Sequence, residues 1–161
     1  MSSTWIASLI LTAGVVDDLR SRKVHNWLAV LCFVIALASS VYFEGWYGLQ
    51  TGLLSAAVAL AVSAPLFVFK IVGGGDIKLF VAFAASVSWT AALMTGFYSL
   101  IWGAIFGLVQ ALFQKQGTAL FSNMMTLAVQ RKSEGLSLHK IPFTVALLVG
   151  WLTTLKLEGH I

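Results

Sequence analysis

The chain has 161 residues, of which 59% are hydrophobic and 10% charged, and its mean hydropathy is +0.92. Soluble domains carry roughly a quarter charged residues, so a water-soluble globule is excluded and a chain built for lipid is implied. The net charge of +4 comes from short basic clusters between apolar runs, not from a stripe or tail that would grip nucleic acid, and the single cysteine, Cys32, excludes a disulfide framework.

The length allows one domain, residues 1–161. Crossing about 30 Å of hydrocarbon takes roughly 20 apolar residues, which leaves room for about six crossings. Six apolar stretches follow in chain order: 3–18, 27–43, 46–72, 77–93, 95–113 and 141–157. None alternates with a period of two, and lipid forces each span to satisfy its own backbone, so all read as helices. The first has no Lys or Arg before it and reads as a retained span, not a cleaved signal. In the fifth, Gly103 and Gly107 form a GxxxG, a pattern of close helix packing. The expected fold class is all-α: six transmembrane helices plus one amphipathic cytoplasmic helix.

Charge orients this bundle. Arg20, Arg22, Lys23, Lys70, Lys78, Lys115, Arg131, Lys132 and Lys140 cluster at the links after the first, third and fifth stretches, and Lys156 alone falls elsewhere. The positive-inside rule makes that face cytoplasmic and puts both termini outside. The long link at 114–140 places Thr118, Ser122, Thr126 and Gln130 on one helical face. Two readings fit it: an amphipathic helix on the inner leaflet, or a helix that simply covers the bundle.

Of the six acidic residues, Glu44, Glu134 and Glu158 read as solvated surface charges. Asp17 and Asp18 end the first apolar run, and Asp76 follows Gly73, Gly74 and Gly75 at the start of the fourth. By the charge-derived topology, Asp18 and Asp76 share a membrane face and a depth. Two close carboxyls do not both ionise easily, so such a pair can hold one proton and supply both a general base and a general acid. The glycines allow positive φ and close backbone approach, and the free backbone there could pair with a substrate strand. A tight turn between two spans is the plainer use of three glycines. Lys78 is near Asp76 in sequence and is a candidate ion-pair partner for it.

These segments resemble a known family. VGGGDIKLF looks like the GxGD-x-K signature of type IV prepilin peptidases and the related preflagellin peptidases. DDLRSRKVHNWL is similar to their first catalytic segment, in which the Asp before Leu-Arg is catalytic, pointing to Asp18 and not Asp17. KIPFTVALLVG resembles the stretch at their last span and brings in Pro142. The resemblance implies an aspartic endopeptidase with Asp18 and Asp76 as the catalytic pair, and Gly73, Gly74, Gly75, Lys78, Arg20, Asn26 and Pro142 as substrate-binding or motif support. It implies cleavage of a short basic leader from a prepilin or pseudopilin at the cytoplasmic face of a bacterial inner membrane, alongside pilus assembly machinery.

The chain departs from the pattern in two places. It lacks the cysteine-paired insertion of the larger members, so it resembles the short, protease-only form serving Tad/Flp pili, with no methyltransferase activity expected. His25 stands where the family more often has Pro, which should alter the turn into the second helix and leave the chemistry alone. His25, His139 and His160 are scattered, and neither a metal site nor a cofactor is expected. A competing reading is a non-catalytic scaffold or a small ion- or proton-coupled transporter, since intramembrane carboxyls also bind cations.

Overall fold

A computed structural model describes residues 2–21, 24–69, 72–113 and 143–159, and these form five α-helices. They are α1 Ser2–Ser21, α2 Asn26–Val68, α3 Gly74–Ala84, α4 Trp89–Phe113 and α5 Phe143–Leu157. The all-α expectation holds. The helix expected within 114–140, and with it Pro142, Arg22, Lys23 and Lys70, lies outside the described residues.

At 43 residues, α2 would be roughly 65 Å long if straight. It is not straight, because Gly45 has φ 61 and ψ −143, a conformation open mainly to glycine. Beyond it the chain doubles back. A Cβ on Gly52 would lie 3.3 Å from Leu37 Cδ2, and one on Gly48 would run into the Ser40 carbonyl. Residues 37 and 52 would stand about 22 Å apart along a straight helix, so the two arms of α2 form an antiparallel hairpin. The arms correspond to the second and third predicted stretches.

The fourth stretch differs from expectation. The helix predicted over 77–93 stops at Ala84, and α4 begins at Trp89, ahead of the predicted residue 95. Serines inside the apolar run make the break, since their short side chains compete for backbone groups. Ser86 Oγ donates to the Phe83 carbonyl at 2.7 Å, and Ser88 Oγ accepts the Ala91 N–H at 3.3 Å, in the manner of an N-cap. The freed Ala85 carbonyl accepts from Ser40 Oγ at 3.0 Å. With 11 residues, α3 is about 16 Å long and sits within the bundle.

The interior joins all these helices. Leu11, Leu79, Phe83, Leu147 and Trp151 are fully buried, and the Phe83 and Trp151 rings meet edge-on at 5.0 Å. The Leu79 side chain fills the space a Cβ on Gly14 would need, so α1 and α3 touch closely there. Small residues and hydroxyls bring α4 and α5 together, the usual means of helix association in lipid. A Cβ on Gly150 would lie 2.8 Å from the Ser99 backbone nitrogen. Thr95 Oγ1 donates to Thr154 Oγ1, and Trp102 Nε1 to Thr153 Oγ1. Of the predicted GxxxG, a Cβ on Gly103 would lie 3.4 Å from the Phe143 ring, while one on Gly107 would meet nothing within 4 Å among the described residues.

The exterior is apolar. Trp5, Leu9, Val30, Val34, Phe97 and Leu108 are all exposed, a surface far larger than the apolar patches water tolerates. Asn26–Val68 and Trp89–Val109 are long and apolar enough to cross a membrane, and Phe143–Leu157 is apolar but shorter.

Candidate active site

The end of α1 and the starts of α2, α3 and α5 converge at one end of the bundle, through the Asp17–His25, Lys78–Asn26 and Thr144–Asp18 contacts. Successive residues on a helix point about 100° apart, so Asp17 and Asp18 face different surroundings. Asp17 looks toward the α1–α2 link. Its Oδ2 accepts the His25 backbone N–H at 2.9 Å, and the His25 ring Nδ1 lies 2.9 Å from Oδ1. Asp18 turns inward and is 7% exposed. Its Oδ2 accepts a hydrogen bond from Thr144 Oγ1, at the start of α5, at 2.7 Å.

Asp76 is the third residue of α3, behind the N-cap Gly73. Its carboxylate turns back over Gly73, at the helix start where backbone N–H donors are left free. A carboxylate in a first helical turn is also favoured by the helix dipole. Asp76 and Asp18 lie within electrostatic reach of each other. Asp76 is half-buried and borders a cavity of about 160 Å³. Val62, Leu66, Val72, Ile77, Phe80, Leu93, Phe97, Leu100, Phe143 and Leu147 give that cavity its apolar walls, with Ser63 and Gly96 completing the lining.

The glycines act through space, not through unusual backbone angles. Gly73 has φ −72 and ψ 149, and the positive-φ glycines among the described residues are Gly45 and Gly159. A Cβ on Gly73 would sit 2.9 Å from Asp76 Oδ2, and one on Gly75 would lie 3.2 Å from Val24 Cβ. The expectation of positive φ is therefore corrected to one of close approach.

Lys78 is a second correction, because it does not pair with Asp76. Its Nζ donates to Asn26 Oδ1 at 2.7 Å. Residues two apart on a helix do not share a face, so Lys78 is turned to the α2 start while Asp76 faces Asp18. Two predicted support residues are thus joined to each other. Arg20 is exposed in the last turn of α1 and joins none of the described hydrogen bonds.

Sequence reasoning missed Thr144 and the Asp17–His25 contact. Thr144 left a faint signal, as a hydroxyl beside Pro142 at the same membrane edge as Asp18. His25 left one as the residue just before Asn26, where α2 begins.

Residues 5–108 match the sequence profile of the type IV leader peptidase family. The chain belongs to this family. Membership makes it a membrane protease of prepilin-like precursors, in line with the resemblance of its two Asp segments, both of which fall within the matched residues. No curated protein and no solved structure matches the chain. The match ends before α5, so Thr144 lies outside the part of this leader peptidase that the family profile covers.

Proposed function

We propose that this leader peptidase is an aspartic endopeptidase in which Asp18 and Asp76 together cleave a short basic leader from a prepilin-like protein. The observation that supports this most is that the two acids, from α1 and α3, lie within electrostatic reach of each other at one end of the bundle beside an apolar cavity. One carboxylate takes a proton from a water held between the acids, and the resulting hydroxide attacks the scissile carbonyl carbon. The other, protonated, gives its proton to the carbonyl oxygen. When the tetrahedral intermediate collapses, the C–N bond breaks, the leaving amine takes the proton that the first carboxyl drew from water, and the second carboxylate recovers one from the collapsing hydroxyl. The titration belongs to the pair, so cleavage should rise and fall with pH as a bell.

The remaining features fit around that step. Gly73 is exposed beside Asp76, and an extended substrate segment can approach its backbone there because Gly73 carries no side chain of its own. The polar contacts at this end, Lys78 to Asn26 and Asp17 to His25, suit the cytoplasmic edge of a bilayer. With the hairpin arms of α2 counted separately, the described residues form six helices, an even number that suits both ends of the sequence lying on the outer side. The short form without a cysteine-paired insertion suits a protease for Tad/Flp-type pilins that does not methylate its product.

Co-expression with a matching prepilin tests the proposal, read by mass spectrometry of the pilin N-terminus. Asp18→Asn and Asp76→Asn should each leave the precursor uncut. Efficient processing by both would end the proposal.

A further inference from the structure

We infer that Thr144 is a positioning residue for Asp18, holding its carboxyl in the orientation that cleavage requires; this rests on the reading of Asp18 and Asp76 as the catalytic pair. Hydroxyls inside helices usually give their proton to the carbonyl one turn earlier. In this chain Thr12, Ser63, Ser99 and Thr153 all do so. Thr144 does something else. Standing second in α5, it donates across 126 residues of sequence to Asp18 Oδ2 at 2.7 Å, and it is 0% exposed.

The contact has the properties a positioning bond needs. It is buried, so water does not readily replace it, and a buried carboxylate that loses a partner has few substitutes. It engages one oxygen of Asp18, Oδ2. A hydroxyl both donates and accepts, so Thr144 can stay bonded whether or not Asp18 holds the shared proton. The Asp76 carboxylate lies close against Gly73. Thr144 also ties the last helix to the site, since the adjacent Phe143 lines the cavity that Asp76 borders.

The test is steady-state cleavage of a purified prepilin by the full-length enzyme in lipid vesicles, with thermal melting of each variant as a folding control. Thr144→Val keeps the shape and removes the hydroxyl. Its kcat should fall roughly 10- to 100-fold, the scale expected when a reacting group is misplaced, with KM changed less than about twofold. Thr144→Ser restores the donor and should recover kcat to within about threefold of the parent. If Thr144→Val fails to accumulate, Thr144→Ala takes its place with the same thresholds. Parent-like kcat without the hydroxyl overturns the inference. So does a Ser variant as slow as the Val variant, which would make Thr144 a packing residue. Either result leaves the catalytic pair standing if Asp18→Asn and Asp76→Asn are inactive in the same assay. If those two remain active, the pair fails and the inference fails with it.

Discussion

The functional end of the molecule has two regions that differ in burial, although they come from neighbouring residues. One is a rim, where Asp17 meets His25 and Lys78 meets Asn26, and all but the half-buried Asp17 are exposed. The other is an interior, where Asp18 meets Thr144 and Asp76 meets the Gly73 backbone. Exposed polar pairs contribute little, about 0–1 kcal/mol for ion pairs. A buried polar group left without its partner costs about 1–3 kcal/mol. The same kind of bond therefore shapes a surface in one place and holds a buried carboxyl in the other.

The largest effect that would sharpen this contrast is at the interior acids. Asp18→Asn and Asp76→Asn should each lower cleavage by about 10²–10⁴-fold or more, since each removes a carboxyl that the proposed mechanism uses as general acid or base. A prepilin processing assay reads this directly. Gly73→Val should come next. Its backbone angles suit any residue, but its Cβ would crowd the Asp76 carboxylate, and a loss of at least roughly tenfold in kcat is expected. The Thr144 series belongs to the same interior group.

The rim should tolerate more. Lys78→Met breaks the bond to Asn26 and should change kcat less than about tenfold, with any larger change in KM. The smallest effects are expected at Asp17→Asn and His25→Pro. The second removes the N–H that Asp17 accepts, since proline has none, and the turn should survive it. Both should cleave within about threefold of the parent, with melting lowered by no more than a few degrees. A dead Asp17→Asn enzyme with normal folding would erase the distinction between rim and interior.

Much of the architecture was legible because hydropathy is a strong signal in a chain of this composition. The hairpin of α2 could be read because Glu44 and Gly45 interrupt the apolar run. The break between α3 and α4 could not. Ser86 and Ser88 hardly dent an apolar average, yet their hydroxyls end one helix and start the next. At the site, the two acids were legible from their place at matching ends of apolar runs. The Lys78 partner was not, because closeness in sequence suggested a contact that helical geometry forbids. Thr144 was hidden for another reason: a threonine in an apolar helix looks the same in sequence whether it bonds its own backbone or a carboxylate from the far end of the chain.

The contact between Gly14 and Leu79 has a consequence for alignment. Gly14 stands one turn before Asp18, and Leu79 one turn after Asp76, in helices that run in opposite directions. Sliding either helix by a single residue would offset the two carboxyls by about 1.5 Å, and the leucine seated over the missing side chain blocks that slide. Acid is held level with acid by a detent of pure shape, so a bulkier residue at 14 would disengage the pair without touching either carboxyl.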